Sequence, residues 1–143
     1  MRILFALAVI LGGCAGLEHR APVSDSVPAH APAPPMGSAA VASLVNGART
    51  DAAAGRLVQA ASSLERALRI EPRNPHLWQE LARVRLMQGD YAQAESVAAR
   101  SNSWAGADSR LRAENWRLIA QAREARGDAA GARAALEAAE RHR

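Results

Sequence analysis

Residues 86–95 read Leu86-Met87-Gln88-Gly89-Asp90-Tyr91-Ala92-Gln93-Ala94-Glu95, a Gly-Asp step between two runs rich in Ala, Leu and Gln. The step is either an acidic site on a loop or the corner where one helix turns back on another. Glycine readily supplies the left-handed residue that ends a helix, and aspartate accepts from the free amides that begin the next. Gln93 is placed to complete a capping box. The same Gly-Asp pair returns at Gly127-Asp128. The pattern predicts helix corners, with Asp90 and Asp128 as caps rather than catalytic acids.

Working outward, the chain reads as helices throughout its second part. Ser38 is placed to cap a helix running to about Ala54, which Gly55 breaks. A second helix covers Leu57 to Ile70. Asn74 and Pro75 suit the cap and first turn of a third, running to Gln88. The fourth starts at Asp90 and gives way to a short loop through Trp104-Ala105-Gly106. The fifth begins near Asp108 and ends at Arg126, and the last follows Asp128. Only 3% of the 143 residues are aromatic, and alanine dominates the apolar fraction. Val, Ile and Thr are sparse. This composition predicts an all-α fold packed closely through small side chains.

The corners recur. Gly55 and Gly89 are 34 residues apart, and Gly127 follows 38 residues later. Ala60, Ala94 and Ala132 each stand five residues after a corner; Leu44, Trp78 and Trp116 stand 11 before, and Ala48, Ala82 and Ala120 seven before. With Trp78-x-x-Leu81-Ala82, Trp116-x-x-Ile119-Ala120 and the second-helix run Ala60, Leu64, Ala67, Pro72, the chain resembles the tetratricopeptide repeat. That resemblance implies an array of about three helical hairpins over residues 38–143. There are departures. The usual first-helix tyrosine is replaced by Asp51, Arg85 and Arg123. The second repeat ends in Ser101-Asn102 without the expected Ala and Pro. Four extra residues precede the third repeat; lengthening the fifth helix with them would add about one turn and rotate its face by only ~40°.

The start of the chain reads differently. Met1-Arg2 and the apolar run Ile3 to Leu11 form a leader too short to span a bilayer as a helix. Leu11-Gly12-Gly13-Cys14 resembles the lipobox of bacterial lipoproteins. It implies a signal peptide over residues 1–13, and acylation (palmitate among the chains) at Cys14. Cys14 is the one cysteine of the chain, so no intramolecular disulfide is possible. Ala15 follows it, where aspartate usually marks retention at the inner membrane; the implied destination is the outer membrane, facing the periplasm. Residues 14–37, with Pro22, Pro28, Pro32, Pro34 and Pro35, read as an extended, solvated tether reaching at most roughly 70 Å. His19 and His30 lie there without other ligands near them.

The chemistry expected of such a chain is binding. All 18 basic residues are arginine, giving a formal charge of +4. Acidic residues interleave with them, which favours a salt-bridged helix surface over nucleic-acid binding. Glu80, Glu95, Glu114 and Glu124 fall at spacings of helix-surface ion pairs. No cysteine follows Cys14, His76 and His142 stand without motifs, and no phosphate loop or metal spacing occurs. No enzyme activity, cofactor or metal is expected. Carried over from the repeat family, the inner-face positions are Val45, Arg49 and Ala52, then Gln79, Arg83 and Leu86, then Arg117, Gln121 and Glu124. Arg49, Gln79, Arg83, Arg117 and Gln121 are the candidate protein contacts, and they suit an extended peptide or acidic surface. Trp104, outside the repeat signature, is a further candidate; capping the core is its competing role.

In size and layout, the chain resembles the Pseudomonas-type lipoprotein activators of a class A penicillin-binding protein. The segments Arg73-Asn74-Pro75-His76-Leu77-Trp78 and Asn115-Trp116-Arg117-Leu118-Ile119-Ala120 carry that likeness. It implies an outer-membrane-anchored module that activates a peptidoglycan synthase by direct contact. The alternative is a general scaffold or assembly lipoprotein, such as a pilotin-like factor for pilus or secretion machinery.

Overall fold

The computed structural model describes residues 36–142, with side chains from residue 39. The leader, Cys14, the proline-rich stretch and its histidines lie outside the described residues. Within them are six helices and no strand. They are α1 (Met36–Ala53), α2 (Leu57–Ile70), α3 (Pro75–Met87), α4 (Tyr91–Trp104), α5 (Ser109–Ala125) and α6 (Ala129–Glu140). Each helix packs on the next, and α3 also touches α5. That is an array of three hairpins, α1–α2, α3–α4 and α5–α6. Among the described residues, no helix is long and apolar enough to cross a membrane.

The three glycine corners share one construction. Gly55, Gly89 and Gly127 have φ of 76°, 80° and 81°, which costs glycine nothing. At the middle corner, the Gly89 amide donates to Leu86 O at 3.1 Å and the Asp90 amide to Arg85 O at 2.9 Å. The same two bonds close the other corners, from Gly55 and Arg56 and from Gly127 and Asp128. They use up the last carbonyls of each first helix.

This construction corrects the expected role of Asp90. It occupies the cap position of α4, but its side chain accepts no backbone amide. The carboxylate instead faces the Arg85 guanidinium at 3.6 Å. A capping box with Gln93 is also ruled out, because the Asp90 amide is already donated to Arg85 O. Asp128 does cap, accepting from Gly131 N at 2.8 Å, as Asp108 does from Leu111 N at 2.9 Å. Asn74 accepts from His76 N, with Pro75 in the first turn. Ser38 stands inside α1, two residues past its start, rather than at its cap. Trp104 is the last residue of α4 rather than part of a loop.

Small residues let the backbones approach. Ala60, Ala94 and Ala132 are buried, as are Ala48, Ala82 and Ala120. Leu64, Leu68, Leu77, Leu81 and Val84 fill the core between the first two hairpins, with Trp78 packed at its margin. Ile119 joins Ala82, Ala98, Ala120 and Ala135 in a second cluster, edged by Trp116 and Leu118. α5 has 17 residues against 13 in α3, so the four extra residues lengthen that helix.

Where the family's tyrosine is missing, ion pairs take its place. Asp51 accepts from Arg56, Arg85 pairs with Glu65, and Arg123 pairs with Glu95. The Ser101-Asn102 departure has a structural role too. Ser101 and Asn115 are fully buried. Asn115 Nδ2 donates to Ser101 Oγ at 2.7 Å and to Asn102 Oδ1 at 2.9 Å. Ser101 Oγ donates to Pro75 O at 2.7 Å. This polar node ties α5 to α4 and to the start of α3.

Candidate first-helix binding face

The first helices α1, α3 and α5 bring the inner-face positions together as two hollows. One, of about 420 Å³, is lined by Arg83, Leu86, Met87, Glu114, Arg117, Leu118 and Gln121. The other, of about 380 Å³, runs between α1 and α3 and includes Val45, Arg49 and Glu80.

The candidate residues are in different states. Arg49 donates through Nε and Nη2 to Glu80 Oε1, at 3.2 and 2.5 Å. Gln79 is only 6% exposed, and its amide donates to Glu114 Oε2 at 3.2 Å. Arg83 Nη2 donates to that same oxygen at 3.2 Å. Arg117 and Gln121 line the larger hollow, and neither side chain has a hydrogen-bond or ion-pair partner among the described residues. Ala52 packs against the first core, and Glu124 is exposed outside both hollows. Trp104 belongs to neither. It is 40% exposed, with the Arg73 guanidinium over its ring at 5.3 Å.

The acidic residues also differ from expectation. Glu80, Glu95 and Glu114 pair mainly between helices, with Arg49, Arg123 and Arg83. Of these glutamates, only Glu114 also has an ion pair four residues away within its own helix, to Arg110, among the described residues. Inter-helix pairing is possible because stacked hairpins set these faces side by side.

Two residues that the sequence did not single out complete the larger hollow. Met87 is 56% exposed, and Leu118 lies beside Arg117. Each directly follows an inner-face position, Leu86 or Arg117. That adjacency was the available signal, but nothing in their type separates them from core residues. The hollow thus joins a free guanidinium and amide to a Leu-Met-Leu surface. Chemically it can hold a carboxylate beside an apolar side chain. Among the described residues, no three His, Cys, Asp or Glu side chains form a metal-holding group.

Residues 51–114 match the tetratricopeptide repeat family. The structure of the globular C-terminal domain of P. aeruginosa LpoP aligns with 50% identity and a TM-score of 0.69, covering 70% of this chain and 94% of that one. The N-terminal domain of stress-induced protein-1 (STI-1) from C. elegans aligns with a TM-score of 0.70 at 15% identity, covering 77% and 88%. The latter likeness is one of fold alone. No curated protein sequence matches the chain.

Proposed function

We propose, from the premise that this chain belongs to the tetratricopeptide-repeat family of the P. aeruginosa LpoP C-terminal domain, that it activates a class A penicillin-binding protein by direct contact. The observation that carries the reading is that half-identity to the LpoP domain. It spans nearly the whole of that domain, and the sequence resembles the lipoprotein activators in layout as well. A chain acting this way has to act by binding. It favours an active arrangement of the synthase by contacting that state better than the inactive one.

In this reading residues 1–13 are removed, Cys14 carries the acyl chains, and residues 14–37 hold the domain away from the outer membrane on its periplasmic side. Several acyl chains anchor stably where one does not. Cys14→Ser is expected to leave the protein unprocessed or to release it from the membrane fraction. A serine variant that is still cleaved and membrane-bound removes the anchor from the proposal.

The deciding experiment adds the purified chain to the cognate class A synthase and measures glycan polymerisation. Stimulation that rises with the chain's concentration and saturates is expected. Absence of binding to any class A synthase of the same cell overturns the activator reading and leaves a general scaffold.

A further inference from the structure

Along the first-helix face, each seam between hairpins is closed by a carboxylate from the later helix. Glu80 of α3 accepts from Arg49 of α1. Glu114 of α5 accepts through one oxygen from both Gln79 and Arg83 of α3. Counted back from the corners, Gln79 and Arg83 stand 10 and six residues before Gly89. Arg117 and Gln121 stand 10 and six before Gly127. α5 therefore carries the same guanidinium–amide donor pair, in reversed order. No described first helix follows α5, and the pair has no acceptor among the described residues.

The other end of the array is built differently. Glu80 stands nine residues before Gly89 and Glu114 stands 13 before Gly127. The matching positions before Gly55 are Asn46 and Ala42. α1 has no described first helix before it, and there the carboxylates that would have no donor are absent. At α5 the donors that have no acceptor are kept. Array stability does not account for Arg117 and Gln121, since they join nothing to α5.

We propose that these two donors receive an aspartate or glutamate side chain of a partner protein. An adjacent large apolar side chain of the same partner rests on Leu86, Met87 and Leu118. The proposal rests on the reading of this chain as a protein-binding module. A side-chain carboxylate is the occupant because the equivalent donor pair, Gln79 and Arg83, already holds one. One carboxylate is the complement, because of the two arginines lining this hollow Arg83 is committed to Glu114, and Arg117 has no partner among the described residues. The thioether of Met87 adapts its shape to the neighbouring apolar group.

The first test uses NMR on the full chain in detergent micelles, with labels on the methionine methyls and the arginine Nε. Three dipeptides serve as probes. N-acetyl-Leu-Glu-amide offers a side-chain carboxylate, N-acetyl-Leu-Gln-amide offers its neutral isostere, and N-acetyl-Gln-Leu offers only a terminal carboxylate. At roughly millimolar concentration, where ligands of this size bind, the glutamate probe is expected to shift Met87 and Arg117 together. The glutamine probe is expected to leave both in place. Arg117→Ala is expected to abolish the response, and Arg133→Ala on α6 to preserve it. Equal shifts from the glutamate and glutamine probes overturn the proposal, as does an undiminished response in a helical Arg117→Ala variant. A response to the terminal carboxylate alone also overturns it.

The second test measures binding to the cognate class A synthase. Arg117→Glu is expected to weaken binding at least about tenfold, as loss of a central interface arginine does. If the wild-type chain binds the synthase and Arg117→Glu binds equally well, the proposal fails while the activator reading stands. If no synthase binds, the activator reading fails, and the dipeptide result alone decides the proposal.

Discussion

Arg123 of α5 donates to one carboxylate oxygen of Glu95 on α4 through both Nε and Nη2, at 2.8 and 2.6 Å. Its Nη1 also donates to Gly131 O on α6 at 3.2 Å. One side chain thus joins three consecutive helices from a position where the repeat family usually has tyrosine. One repeat earlier, Arg85 of α3 pairs with Glu65 on α2 and faces Asp90 at the start of α4, at 3.6 Å.

Arg123→Ala is expected to lower unfolding stability by about 1–2 kcal/mol. Its side chain is 29% exposed and that of Glu95 23%, which places the pair between a surface bridge and a buried one. Urea denaturation of Arg123→Ala, Glu95→Ala and the double variant isolates the pair. A coupling of about 1 kcal/mol is expected. Coupling near zero would mean that the guanidinium acts only through Gly131 O and packing.

Ala94 is fully buried on α4, whereas Ala92 on the same helix is exposed. Ala94→Leu is expected to cost about 1–3 kcal/mol by overpacking. Ala92→Leu stays within about 0.5 kcal/mol of the parent. Matching melting temperatures for the two variants would contradict the packing described for this hairpin.

Asn115→Ala removes two donated hydrogen bonds from the buried node, so a loss of about 1–3 kcal/mol is expected. Asn115→Asp should cost more at neutral pH, because it places a charge in a fully buried site. Burial raises the pKa of the introduced carboxyl. The unfolded chain holds that carboxyl at its ordinary value, so the extra penalty shrinks as pH falls through the raised folded value. Stability curves for the two variants that stay parallel through the acidic range would show that water reaches the node.

The two Gly-Asp corners separate the backbone turn from the cap. Asp128→Ala loses a bond to Gly131 N and is expected to cost about 1 kcal/mol. Asp90→Ala loses only a long contact to Arg85 at 3.6 Å, so a change within about 0.5 kcal/mol is expected. Chemical denaturation of both distinguishes them. An equal loss at Asp90 would place its carboxylate on the α4 amides in solution.

The sequence by itself determined the all-α class, the glycine corners, the limits of α2 and the repeat. Each rests on preferences acting over a few residues: positive φ at Gly89, an Asn74-Pro75 start, and small residues at fixed steps from the corners. Tertiary structure decided what the charged and polar side chains do. Asp90 and Asp128 share a local sequence, yet one faces Arg85 and the other caps a helix. Glu80 and Glu114 pair with arginines 31 residues before them, because stacking sets successive first helices side by side. Met87 is exposed and Asn115 buried, although their residue types suggest the reverse. Arg49, Arg83 and Arg117 read alike in the sequence. Only the order of the stacked helices sets them apart, since a later helix supplies a carboxylate to the first two and none among the described helices reaches the third.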